Sequence, residues 1–221
     1  MDSVAHAEDS SSANADFSVR IDKIEGTSAG VLKVYLADGP SFFVRDAYLS
    51  SFPDGLFESG SVLNEEASAA LLHAARVYLA ERAAMEYLSR AEHTRFALSV
   101  KLRSAKKGFT ESEVTPALAY LEERGLLDDG RFASAWLRNR SIHQSEGRQK
   151  LLSGLVSRGV DMSVARKVLQ DFFGTADERE LCMKAAEKLK RTGKPPEKMQ
   201  AALIRKGFPS KFIAECLKVL R

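Results

Sequence analysis

The chain has 221 residues, 44% of them apolar, and carries 33 Lys and Arg against 30 Asp and Glu for a net charge of +3. This composition excludes a wholly disordered, collagen-like or disulfide-scaffold protein. The longest run without Asp, Glu, Lys or Arg lies between Glu66 and Arg76, far short of the ~20 apolar residues of a spanning helix, so no membrane partner is expected. The first fifteen residues hold Asp2, Glu8 and Asp9, no Lys or Arg and no apolar core, so no secretory signal is read there. Cys182 and Cys216 fall in helical patterns without partners at metal-ligand spacing. The expectation is a cytoplasmic chain with no metal and no other cofactor. Charge is uneven: residues 1–60 hold four bases against ten acids, and the remainder is net +9. An acidic head on a basic body points to a polyanionic partner for the body.

Residues 1–15 are small and polar, which predicts a disordered tail. A period of two follows over Phe17, Val19 and Ile21, then over Leu32, Val34 and Leu36, with a Gly26–Gly30 turn between them. Asp38-Gly39 signals a hairpin into Phe42-Phe43-Val44. These strands form a small β-meander over 16–60, and Tyr48, Leu49, Phe52, Leu56 and Phe57 are the candidates to cover it. From Asn64, a helix cap, the pattern is helical to the end. Thr110-x-x-Glu113 and Thr175-x-x-Glu178 read as capping boxes, and Asp129 and Asp161 as further caps. Pro195 and Pro209 suit first turns. Pro116 predicts a kink, or a restart at Thr115.

The helical part repeats. Gly108, Gly159 and Gly207 are spaced by 51 and 48 residues, each preceded by a base and followed by Phe109, Val160 or Phe208. Val114, Ala165 and Ile213 stand six positions on, and Leu118, Leu169 and Leu217 ten on. Leu121, Phe172 and Leu220 stand thirteen on. Upstream, Leu151 and Leu155 match Met199 and Leu203, and Leu98 and Leu102 match after a two-residue insertion. A helix ends at a glycine in the left-handed conformation, an apolar plug fills the corner, and the next helix starts. A further helix precedes each pair, at 65–89, 129–141 and 176–191. The fold class is therefore mainly α. Three tandem three-helix repeats (61–125, 126–174 and 175–221) form a curved solenoid behind the β-rich module.

The run from Glu123 to Ala133 (ERGLLDDGRFA), followed by Trp136, Arg140, Gly147, Leu151, Leu155 and Arg158-Gly159-Val160, closely resembles the RecX family. Tyr87-Leu88-Ser89-Arg90-Ala91-Glu92-His93-Thr94 looks like that family's entry into its first repeat, and the hairpin at 34–39 like the extension of its longer members. The chain departs from the family pattern at Ala91, where Arg is usual, at Gly154, where Glu is usual, and in the insertion near Ser104. The resemblance implies a regulator of the RecA recombinase rather than an enzyme. Family members bind the recombinase and its filament on single-stranded DNA and limit filament growth, ATP hydrolysis, strand exchange and co-protease activity. They do so as a crescent in the filament groove. It also marks Asp128, Asp129, Phe132, Ala133, Trp136, Arg140, Gly147 and Gly159 as family-motif residues, mainly structural.

The residues themselves favour the plain readings. Asp128-Asp129 reads as a helix cap and its neighbour rather than an acid pair. Phe132 and Trp136 read as core rather than a stacking platform, and Arg140 as a partner of Glu122, Glu123 or Asp128. His6, His73, His93 and His143 are scattered, and no phosphate loop, nucleophile elbow or zinc-protease motif is present. The cations are more informative. Lys150, Gly154 and Arg158 run along one stripe of helix 146–158, and Gly154 removes a side chain where a polymer would press closest. Lys198, Ala202 and Arg205 repeat that arrangement in helix 195–206, beside Lys206. Helix 94–107 adds Lys101, Arg103, Lys106 and Lys107, and Arg138 and Arg148 complete the candidates for contact with a filament or DNA. Binding to nucleic acid alone is expected to be weak and non-specific, and the chain a monomer. The competing reading is a stand-alone helix-turn-helix-like DNA-binding regulator. Against it, Glu111, Glu113, Lys167 and Lys211 make a poor set for base edges.

Overall fold

The computed structural model describes residues 19–27, 29–50, 52 and 57–220. The expected tail and the expected positions of Phe17 and Leu56 lie outside the described residues. The chain divides into two compact units, Met1–Tyr78 and Leu79–Arg221.

The first unit is an antiparallel sheet in the order β3-β2-β1-β4, built from β1 (Val19–Gly26), β2 (Val31–Leu36), β3 (Phe42–Arg45) and β4 (Val62–Leu63). Ile21 faces Leu36 and Ile24 faces Val34, with a bulge between Ile21 and Lys23. Ile21, Val34 and Val44 point to one face and are fully buried, as alternation requires. That face is covered by Leu49, Leu63 and the first half of α1 (Glu65–Leu88), through Ala67, Leu71 and Ala74. Tyr48, Phe52 and Phe57 pack at its margin. The meander thus has a fourth strand that pairs Val19 with Leu63. Two residues are too short to show alternation in sequence.

This moves the place where the chain can be cut. The sequence alone predicts that a chain beginning at Ser61 stays folded and helical, yet such a chain would carry Leu63, Ala67, Leu71 and Ala74 without their sheet. It should remain helical by circular dichroism but self-associate in sedimentation. A chain beginning at Leu79 should stay monomeric and unfold cooperatively.

The second unit holds the rest of α1, then α2 (Arg95–Arg103), α3 (Glu111–Glu123), α4 (Asp129–His143), α5 (Arg148–Val156), α6 (Met162–Thr175), α7 (Glu178–Arg191), α8 (Pro196–Arg205) and α9 (Ser210–Val219). Each repeat has its own core. Leu98, Leu102, Val114, Leu118 and Leu121 fill the first. Ala133, Leu137, Leu151, Leu155, Ala165 and Leu169 fill the second. Cys182, Ala186, Met199, Leu203, Ile213 and Cys216 fill the third. The aligned glycines all take the left-handed conformation, with φ of 67° at Gly108, 85° at Gly159 and 81° at Gly207. Asn64 caps α1 by accepting from the Ala67 N–H, and Glu113 closes the Thr110 box by accepting from the Thr110 N–H.

Several expectations are corrected. α3 runs unbroken through Pro116, in its second turn, with no restart at Thr115. Lys106 and Lys107 lie in the turn after α2, not in a helix. The cap position of α7 is Asp177, which accepts from the Arg179 N–H at 2.8 Å, and not Thr175, which is the last residue of α6. Asp128, not Asp129, caps α4, with its Oδ1 accepting from the Gly130 and Arg131 N–H groups.

The residue after each of these caps does something else. Asp129 accepts the backbone N–H of Arg95 at 2.8 Å, and Glu178 accepts that of Arg148 at 2.7 Å. Arg95 and Arg148 each open the second helix of the preceding repeat, where N–H groups lack intrahelical partners. An acid at the start of one repeat therefore caps a helix of the repeat before it. The Thr94 hydroxyl donates to the Arg158 carbonyl, and the Gly147 N–H to the Lys206 carbonyl, both at 2.8 Å. The same joint is thus built twice, on the Gly159 corner and on the Gly207 corner. Asp129 pays for its place: burial, the largest influence, holds its carboxyl above the usual range. The matching helix of the third repeat, α8, opens on Pro195-Pro196, and Pro196 has no N–H to donate.

A cationic groove around Trp136 as the candidate functional site

α4 and α5 of the second repeat enclose a shallow groove of about 430 Å³ lined by Trp136, Arg140, Glu146, Lys150, Ser153, Gly154, Ser157 and Arg158. Its floor is Trp136, half-buried against the second core. The Arg158 guanidinium lies over the indole at 4.8 Å from the ring centre and the Arg140 guanidinium at 5.7 Å. Both are cation–π contacts that hold a charge in place without neutralising it. Arg158 also donates to the Gly154 carbonyl at 2.7 Å. Neither it nor Lys150 pairs with a carboxylate among the described residues.

Arg140 is different. It makes a two-pronged ion pair with Glu146, at 2.8 and 3.0 Å. Glu146 is only 6% exposed, and the Arg140 hydrogen bond holds its carboxyl below the usual carboxylate range against the opposing effect of burial. The expected partners Glu122, Glu123 and Asp128 are not the ones used. Glu122 pairs instead with Arg95. Glu146 sits in the polar α4–α5 loop, where no periodicity marks it, so sequence reasoning missed it.

Gly154 has a purpose other than the one its place between two cations implies. A Cβ at this position would stand 2.7 Å from the Trp136 ring, so the missing side chain makes room for the indole and not for a polymer. Gly154→Glu should therefore destabilise the fold by about 1–3 kcal/mol of overpacking, and lower the melting temperature, despite its better helix propensity. It should also shift the emission of Trp136, the chain's one tryptophan.

The other candidates are scattered. Ala202 is buried, so Lys198 and Arg205 do not share an exposed stripe through it. Both are exposed, and Lys206 reaches the Ser145 carbonyl at 3.3 Å. Lys101 lies over Tyr87 at 4.7 Å, and Lys107 pairs with Glu86 at 3.6 Å. Arg103 pairs with Glu111 at 3.4 Å, while Lys106 and Arg138 are exposed. Arg148 is spent on Glu178 at 3.8 Å and on the Phe173 ring at 4.6 Å. Phe132 and Ala133 belong to the second core. Burial, then the neighbouring Cys216, pushes the Cys182 thiol up to about 12, which leaves it no nucleophile at neutral pH. Among the described residues no helix is long and apolar enough to cross a membrane.

No family model matches the chain. The regulatory protein RecX of Treponema pallidum is 38% identical over 160 residues, covering 72% of this chain and 96% of its own length. That of Chlorobaculum tepidum is 34% identical over 158 residues, covering 69% and 89%. A crystal structure of regulatory protein RecX is similar at a TM-score of 0.70 and 28% identity, over 90% of this chain and 98% of that one. The crystal structure of RecX from Lactobacillus salivarius is similar in fold at a TM-score of 0.57, over 66% of this chain and 96% of that one. Identity on this scale over nearly the whole length of those relatives, with the glycine-cornered helical repeats in place, leads to one conclusion: the chain belongs to the RecX family.

Proposed function

We propose that this chain is a non-enzymatic cytoplasmic regulator that binds the RecA recombinase and its filament on single-stranded DNA. It acts as a monomer and limits filament growth, and with it ATP hydrolysis, strand exchange and co-protease activity. Family membership supports the partner. The observation that carries the contact is the groove of the second repeat, where Lys150 and Arg158 stand exposed beside Trp136 and neither is ion-paired with a carboxylate among the described residues. Cations left unpaired at a surface favour a polyanionic assembly and contact its phosphates without reading bases.

The test is retention of RecA by the immobilised chain, alone and on single-stranded DNA, beside binding of random-sequence DNA. Retention of the recombinase is expected, with DNA binding that weakens steeply as salt rises. A salt-resistant, sequence-selective DNA complex without retention would replace this reading with the helix-turn-helix-like one.

A further inference from the structure

The groove gathers three cations, two of them over the Trp136 indole, but offers only Lys150 and Arg158 outward. Arg140 is occupied by Glu146, to which its Nε and one terminal nitrogen, Nη2, both donate. Glu146 is held where it is from two sides. Arg140 grips its carboxylate, and the next residue, Gly147, donates to the Lys206 carbonyl of the third repeat at 2.8 Å. Lys150 and Lys206 further favour the charged form of Glu146. The carboxylate therefore sits among cations, paired with Arg140 and within the fields of Lys150 and Lys206, in the groove an external anionic group would enter.

We infer that the groove is a phosphodiester-binding site in which Glu146 acts as an internal competitor. The unoccupied groove keeps Arg140 on Glu146. An incoming strand places one phosphate on Lys150 and Arg158, and a second takes Arg140 from Glu146. The exchange trades one charge-assisted pair for another, so the site is weaker than three cations would make it. A resident acid of this kind suits a regulator that must release. The Ser153 and Ser157 hydroxyls, which donate to the Lys150 and Gly154 carbonyls, keep their oxygens at the groove lip. This inference rests on the groove being the contact surface proposed above.

The test uses the full chain with single-stranded oligothymidylate as the probe and the emission of Trp136 as the readout. Glu146→Gln should bind the probe at least about fivefold more tightly than the wild type. Glu123→Gln removes the same charge from an exposed acid outside the groove and serves as the control for net charge. The gain should vanish when Arg140→Met is added to Glu146→Gln, because Arg140 is the cation being released. Binding that depends on Lys150 and Arg158 but is no tighter in Glu146→Gln than in Glu123→Gln would overturn the competitor role and leave the groove reading intact. A gain that survives Arg140→Met would overturn it as well. No saturable emission change in either the wild type or Glu146→Gln would overturn the groove as a phosphodiester site, and the inference with it.

Discussion

Gly207→Ala should detach the third repeat from the second, and Gly108→Ala should not have an effect of that size anywhere. The two glycines occupy the same column of the repeat, and both are left-handed, with φ of 81° and 67°. Alanine at either position meets the conformational penalty of that region, about 1–2 kcal/mol. The difference lies in what the new methyl group meets. At Gly207 it would collide with the Lys150 backbone nitrogen and Cβ, where α5 is seated on the corner. At Gly108 no heavy atom of the described residues lies within 4 Å of the methyl position. Backbone cannot rotate aside as a side chain can, and overpacking adds a further 1–3 kcal/mol or so. The sum of about 2–5 kcal/mol is a large share of the 5–15 kcal/mol that typically holds a domain together. Denaturant unfolding of Gly207→Ala should show a separate early transition, with faster amide exchange in α8 and α9. Gly108→Ala should shift a single transition modestly. Equal effects at the two sites would mean that the corner conformation, and not the seating of the neighbouring helix, carries the stability.

Lys150→Glu with Arg158→Glu should abolish the proposed inhibition of RecA ATP hydrolysis and spare the fold. Both side chains are exposed. The backbone of Lys150, which seats Gly207, is unchanged by the substitution. Arg158 would lose its contact with the Trp136 ring and its bond to the Gly154 carbonyl, at a cost of about 1 kcal/mol. Function should respond far more strongly, because two reversals change the groove by four charges. The measurement is RecA ATPase on single-stranded DNA against increasing regulator, with circular dichroism to confirm helicity. Inhibition that persists would move the contact to the other cations, chiefly Lys101 and Arg103 of α2 with Lys106 in the turn after it, or Lys198 and Arg205 of α8.

What the sequence determined by itself was the local chemistry of each element. A glycine that must be left-handed, an apolar column at helical spacing and an acid three residues into a helix act within one turn of chain. Such features appear in the order of residues, and the three repeats, their cores and the caps at Asn64, Thr110 and Asp161 follow from them. The RecX resemblance was carried by the same local features, because the Asp128-Asp129 turn and the corner at Gly159 are short-range structures. Only the tertiary structure decided which elements meet. Asp129 and Glu178 cap helices 34 and 30 residues away. Gly154 answers to the bulk of Trp136 on another helix, and β4 exists because Val19 and Arg20 offer it a ladder. Arg140 pairs with Glu146, six residues on, and not with the expected Glu122, Glu123 or Asp128, because the path of the α4–α5 loop brings that carboxylate onto its guanidinium. Partners of this kind are set by packing between elements, and the period of any one element carries no record of them.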